Sequence, residues 1–223
     1  MFQRVFSFFN LKRNNRIKLS SAEKELKSRR IREVFSNIPR LETQRLILRR
    51  IREIDYIDMH EYSADAEVTK YLVWQPHKTI EETKKYTGEL QQRYAEGKFY
   101  DWGLVHKADS KLIGTCGLTT INLNKNSCEI GYVLSKKYWG QGFIPEALGI
   151  IMDFAFTYLD FERIEGRFFE GNEKSCRVMQ KMGMVFDRVD YKLFHIKGEY
   201  KNIYNYYITR EMFEEKKYAL YVK

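Results

Sequence analysis

The chain has 223 residues, 43% of them hydrophobic and 15% aromatic, which is enough for one domain with a sizeable core. Its net charge of +9 is lopsided: residues 1–40 hold eleven Lys/Arg against three Glu, and the other 28 basic and 27 acidic residues leave the remainder at +1. So neutral a domain weakens a nucleic-acid-binding reading, which would want a basic face of its own, and no nucleic-acid partner is expected. No apolar run approaches the ~20 residues of a membrane span. Cys116, Cys128 and Cys176 have no C-x-x-C spacing, and the four histidines fall in no ligand pattern, so neither a disulfide framework nor a metal site is expected. Buried, reduced thiols in a cytoplasmic protein are expected instead.

The N-terminal extension, residues 1–40, has two parts. Phe2, Val5, Phe6 and Phe9 recur at helical spacing ahead of Lys12, Arg13, Arg16 and Lys18. Such a basic amphipathic segment over residues 1–18 suits an anionic membrane or a partner's groove. Its apolar core is too short for a signal peptide. Ser20 to Glu23 then resembles a capping box opening a helix to about Phe35, and Pro39 marks the join to the main domain, residues 41–215, with a tail over 216–223.

From Leu41 the elements follow closely. Leu46 to Ile51 alternates as a strand, and Glu53 to Tyr62 reads as a helix. Thr79 to Glu82 reads as a second capping box, leading a helix to Glu96 and a stop at Gly97. Strands are predicted over Tyr100 to His106, Leu112 to Leu123 and Ser127 to Leu134, followed by a helix to about Tyr158. A strand at Arg163 to Phe169, a helix at Glu173 to Met182, and strands at Val185 to His195 and Asn202 to Thr209 complete the order. The pattern is a mixed α/β sheet with helices on both faces.

The chain turns on Glu129 to Glu146, EIGYVLSKKYWGQGFIPE, which reads as strand, polar turn and helix. Gly140 and Gly142 let backbone N–H groups approach a ligand closely, and the helix behind them opens with unpaired donors and partial positive charge. That combination suits a pyrophosphate. Pro145 stands where a dinucleotide fingerprint needs glycine, and no G-K-[ST] follows, so neither common nucleotide motif is met.

The run Lys137-Tyr138-Trp139-Gly140-Gln141-Gly142 resembles motif A, [QR]-x-x-G-x-[GA], of the GNAT superfamily of N-acetyltransferases, with Lys137 in place of Gln or Arg. Gly131 to Leu148, LETQRLILR, EVTKYL and Gly171 to Phe186 resemble its ribosomal-protein N-terminal acetyltransferase (RimJ/RimL-like) branch, so the likeness spans about Leu41 to Arg210. The resemblance implies a mostly antiparallel central sheet, splayed where acyl-CoA binds. It implies that the backbone of Tyr132, Val133 and Leu134 pairs with pantetheine, and that Lys137 and the N–H groups of Trp139, Gly140, Gln141, Gly142 and Phe143 hold the pyrophosphate. It places Asn172 on the pantetheine arm, Ser175 near the sulfur, and Lys181 toward the adenosine phosphates.

Acetyl transfer needs a neutral amine, and an unperturbed amine at pH 7 is mostly protonated, so a carboxylate must take a proton. Glu129, on the strand entering the cofactor arm, and Asp101, matching an acidic residue of the ribosomal-protein branch, are the candidates. Ser175 is the candidate donor to the leaving thiolate, with Tyr132 and Tyr138 behind it. Cys176 has no histidine beside it for covalent catalysis. The resemblance implies direct transfer from acetyl-CoA to a primary amine, first a protein N-terminus, second a small cationic amine such as a polyamine or aminoglycoside, whose cleft Asp65, Glu67, Asp101 and Glu129 would line. A non-catalytic acyl-CoA-binding module is the reading from another class, and a homodimer is one assembly the family implies.

Overall fold

The computed structural model describes residues 19–221. The amphipathic pattern from Phe2 to Lys18 lies outside the described residues. Helix α1 (Ser21–Ser36) opens with a complete capping box: Ser20 Oγ accepts from the Glu23 N–H, and Glu23 Oε2 accepts from the Ser20 N–H at 2.7 Å. Its buried residues Lys27, Ile31 and Phe35 recur every fourth position. Phe35 is fully buried edge-on to Tyr100 and Trp102, a burial that contributes roughly 1.5–3 kcal/mol. Part of the expected N-terminal extension therefore belongs to the main core.

Strands β1 (Leu41–Glu42) and β2 (Leu46–Arg49) follow, then a 3₁₀ turn, Glu53–Asp55, and helices α2 (Tyr56–Ser63), α3 (Ala66–Thr69) and α4 (Ile80–Ala95). Thr79 Oγ1 caps α4, but Glu82 Oε2 accepts from the Lys78 N–H at 2.7 Å rather than from Thr79, so the expected capping box is half-formed. Strands β3 (Asp101–His106), β4 (Lys111–Asn122) and β5 (Ser127–Leu134) form a meander. After a 3₁₀ turn at Lys136–Tyr138, α5 (Phe143–Asp153) continues as a π-helical turn, Phe154–Tyr158. Strand β6 (Arg163–Phe169), helix α6 (Glu173–Lys181), strands β7 (Val185–Ile196) and β8 (Glu199–Thr209), and helix α7 (Arg210–Tyr221) end the chain. Helix α7 crosses the boundary expected between domain and tail.

The eight strands lie in the order β1-β2-β3-β4-β5-β6-β8-β7, antiparallel except for β5 beside β6. The pleat sorts the side chains. Trp102 faces Phe35 of α1 and Phe154 behind α5, and Gly166 lies against Met179 of α6, so α1, α5 and α6 cover one face. Asp101, one residue away, faces the opposite side, where Tyr94 of α4 donates to its carbonyl and Asp58 of α2 accepts from the Leu112 N–H. Among the described residues no helix is long and apolar enough to cross a membrane.

Candidate active site

Strands β5 and β6 pair only at Ser127↔Arg163, Cys128↔Ile164 and Glu129↔Glu165, then part. The edge of β5 from Ile130 to Leu134 is therefore left without a strand partner on that side. Ser135 donates its N–H to Ile113 O at 2.8 Å, across β4, and alternation along the strand turns the Val133 backbone the same way. A Cβ on Gly114 would stand 2.2 Å from Val133 O, which agrees. This corrects the expectation for Val133, whose backbone is used within the sheet. Tyr132 and Leu134 are the residues whose backbone faces the gap, and Leu134 O already accepts from Trp139 Nε1 at 2.8 Å.

The turn after β5 is shaped for an anion. Gly140 and Gly142 have φ of +77° and +81°, which side chains other than glycine's rarely adopt, and a Cβ on Gly140 would enter open space. Gly142 N-caps α5 without any side-chain capping bond, so the N–H groups of Phe143 and Ile144 stand unclaimed by a cap; Pro145 contributes none. Gln141 Nε2 closes the turn by donating to Lys137 O at 3.0 Å. Arg45, which no sequence pattern singled out, braces it: its guanidinium pairs with Glu146 at 2.7 Å, donates to Gln141 O at 3.0 Å and lies over the Phe143 ring.

Two cations at the turn are already engaged. Lys137 Nζ lies 3.4 Å from Glu61 of α2, and Lys136 pairs with Glu67 of α3. Lys136, Lys137 and Glu61, with Asp65 and Ser135, line an open cleft of ≈ 540 Å³. Lys174 of α6, also missed from the sequence, places its ammonium 3.5 Å from the centre of the Trp139 ring and so bridges α6 to the turn.

Helix α6 borders the other side of the gap. Asn172 N-caps it, Oδ1 accepting from the Ser175 N–H at 3.3 Å, which leaves Nδ2 as that side chain's donor. Tyr132 Oη donates to Ser175 O at 3.4 Å, and burial pushes its phenol far above the usual range, keeping it protonated. Ser175 and Tyr132 thus meet beside the gap. Lys181 does not join them: it is exposed in the last turn of α6, roughly 14 Å along the axis from Asn172. Tyr138 is also elsewhere, its hydroxyl bound to Asp109 at 2.7 Å. Cys176 Sγ lies 3.6 Å from Tyr206 Oη.

The two carboxylate candidates share the face under α2 and α4 but differ in their ties. Glu129, at the point where β5 and β6 part, pairs with Arg167 of β6 at 2.7 Å; burial raises its carboxyl while Arg167 opposes. Asp101 leans over Gly117 of β4, where a Cβ would sit 2.4 Å from Oδ1. That Oδ1 is buried with no hydrogen-bond partner among the described residues, and burial raises the carboxyl to about 7 against the pull of Arg93. Among the described residues no cluster of His, Cys, Asp and Glu could hold a metal.

A splayed β5 edge followed by an uncapped, glycine-cornered helix start is the architecture of an acyl-CoA-dependent acetyltransferase. Residues 45–185 match the family described as the acetyltransferase (GNAT) domain. An uncharacterized N-acetyltransferase, p20, of Bacillus licheniformis is 32% identical over 152 residues, covering 66% of this chain and 85% of the relative. The spermidine N(1)-acetyltransferase of Vibrio cholerae is 23% identical over 168 residues, covering 75% and 95%. The solved structure of RimL, the ribosomal L7/L12 alpha-N-protein acetyltransferase, in complex with coenzyme A aligns with a TM-score of 0.67 at 19% identity, covering 77% of this chain and 98% of that one. The chain belongs to the GNAT family, and it is an acyl-CoA-dependent N-acetyltransferase whose acetyl donor is acetyl-CoA.

Proposed function

We propose that the acceptor is a protein N-terminal amine. The observation that carries this reading is the state of the four carboxylates that a small polycation would need. Glu67 is paired with Lys136, Glu129 with Arg167, and Asp65 caps α3 by accepting from the Glu67 N–H at 2.8 Å. Of these four, only Asp101 has neither ion pair nor cap among the described residues. One anionic group suits an acceptor with a single amine and a neutral or mixed remainder. Beyond Glu129 the same face of the sheet carries Glu165 with Arg163, and Asp187 and Asp190 with Arg188, paired charges that suit a peptide better than a polyamine.

In this reading Tyr132 and Leu134 offer backbone donors to the pantetheine arm, and the turn from Trp139 to Phe143 holds the pyrophosphate, with Lys137 and Lys174 beside it. Asn172 Nδ2 adds a donor, and Lys181 is left for the adenosine end. Bound acetyl-CoA supplies the activated acetyl group. Asp101 takes the proton that the amine nitrogen sheds as its bond to the acetyl carbon forms. On the opposite side of β5, the Tyr132 hydroxyl or Ser175 supplies the proton that the departing thiolate takes up. Glu129 is then a positioning residue, held by Arg167, rather than the base.

The test is acetyl-CoA-dependent thiol release with Ala- and Ser-initiated tetrapeptides against spermidine. Peptides should lead in kcat/KM, and Arg167→Ala, which uncovers Glu129, should move the preference several-fold toward spermidine. Tenfold better turnover of spermidine by the unmodified enzyme would overturn the reading.

A further inference from the structure

Five successive backbone N–H groups, from Gly140 to Ile144, meet no acceptor among the described residues. Two of them belong to glycines with positive φ, a conformation in which neighbouring N–H groups turn together and form a concavity for an anion. An N–H group points where its peptide plane points, so the value of such a turn depends on what holds the planes.

Arg45 holds one of them. It stands just ahead of β2, and its NH1 donates to Gln141 O at 3.0 Å. That carbonyl shares a trans peptide with the Gly142 N–H, and in such a peptide the two point in opposite directions. Drawing the carbonyl toward Arg45 therefore aims the Gly142 N–H away from it, to the open side of the turn. The guanidinium is itself fixed, with Nε 2.7 Å from Glu146 Oε2 and Cζ 4.2 Å from the centre of the Phe143 ring. Lys136 and Lys137, each more exposed and each tied to a single carboxylate, are cations that a phosphate can draw off. Arg45, held at two nitrogens and stacked on a ring, is built to stay.

Its second partner matters as much. Glu146 lies in the first turn of α5, where a carboxylate takes up part of the positive field that an incoming anion would use. It accepts from Thr43 Oγ1 at 2.5 Å and from the Arg45 N–H at 2.8 Å, but Arg45 is its only ion-pair partner among the described residues. Without that guanidinium the turn would meet a ligand with an uncompensated negative charge behind it.

We propose that Arg45 is a positioning residue for the acetyl donor: it aims the Gly142 N–H into the cradle and cancels the charge of Glu146, and so sets the affinity for the pyrophosphate. This rests on the reading that the turn from Trp139 to Phe143 holds the pyrophosphate.

The test is calorimetric titration of the full chain with CoA, comparing wild type, Arg45→Met, Arg45→Lys, Glu146→Gln and Gly142→Glu. Arg45→Met and Glu146→Gln break the same ion pair from opposite ends. A brace that served stability alone would make both weaken CoA equally. Positioning predicts an asymmetry. Arg45→Met frees the peptide and uncovers a carboxylate, so CoA should bind about tenfold more weakly. Glu146→Gln keeps the hold on Gln141 O and removes the charge, so CoA should bind as tightly as in wild type or more tightly. Arg45→Lys, a single ammonium for two tasks, should fall between, and it carries the comparison if Arg45→Met does not fold. Equal losses in the arginine variants and Glu146→Gln, or no loss in the arginine variants, overturn the proposal. Gly142→Glu separates the two possible failures. If it leaves CoA affinity unchanged, the pyrophosphate reading of the turn fails; a loss in Gly142→Glu alone keeps that reading and sinks the role of Arg45.

Discussion

The two halves of the site are built by opposite means. The cofactor half is nearly continuous in sequence: β5, the glycine turn and the start of α5 occupy Ser127 to Glu146, and only α6 and Arg45 come from elsewhere. The proposed acceptor half draws on β3 and β5 under α2 and α4, and its distinguishing feature is Asp101 Oδ1, buried and without a hydrogen-bond partner among the described residues. Local geometry makes the first; the packing of distant elements makes the second. The two should therefore fail separately, which gives the comparison its tests.

The largest effect is expected from Asp101→Asn. Turnover should fall roughly 10²–10⁴-fold, the range for a lost general base, while CoA affinity is unchanged. In the wild type kcat/KM should rise as pH passes about 7, since the base must be deprotonated, and the variant should lose that limb. Stability runs the other way. With the folded carboxyl raised above its unfolded value, the folded state holds the extra proton between about pH 4 and 7, so stability falls as pH rises through that window. Asp101→Asn removes this dependence and should gain on wild type toward pH 8, by at most on the order of 4 kcal/mol, in denaturant titrations at pH 5 and 8. A loss of CoA binding in this variant would mean that the halves are not separable.

Gly142→Glu strikes the other half. It puts a carboxylate beside the uncapped helix start and forces a side chain into φ +81°, so CoA affinity should drop on the order of a hundredfold by calorimetric titration. Asp101 should be untouched, as peptide-binding or melting measurements can show. The smallest effect is expected from Lys174→Ala, which removes the ammonium over Trp139. About a threefold rise in the KM for acetyl-CoA, with kcat unchanged, would mark it as part of the cofactor lip.

The same contrast explains what the sequence disclosed. Gly140, Gly142 and the strand before them are legible because their roles follow from backbone freedom and chain order. The parting of β5 from β6 and the roles proposed for Tyr132 and Ser175 came through a family likeness. Val133 was misread because side-chain alternation is visible in a sequence while the direction of a backbone N–H is not: it depends on register with β4. Arg45 and Lys174 carry no local signal, since each acts on a residue about a hundred or some thirty-five positions away. Helix α7 was hidden because Thr209 is at once the last residue of β8 and the acceptor for the Met212 N–H, so no loop announces the helix. Glu82 spent its carboxylate on Lys78, a choice that composition does not encode.

The pleat of β5 has one more consequence. Gly131 and Glu129 look toward α2 and α4, Tyr132 toward α6, so the strand divides the proposed acceptor side from the α6 side. In the proposed mechanism the amine arrives from one side and the thiol departs to the other, so neither must vacate the site for the next to enter. Ferrying the acetyl group on a protein nucleophile would require a thiol able to visit both sides. Cys176 lies on the α6 side, against Tyr206.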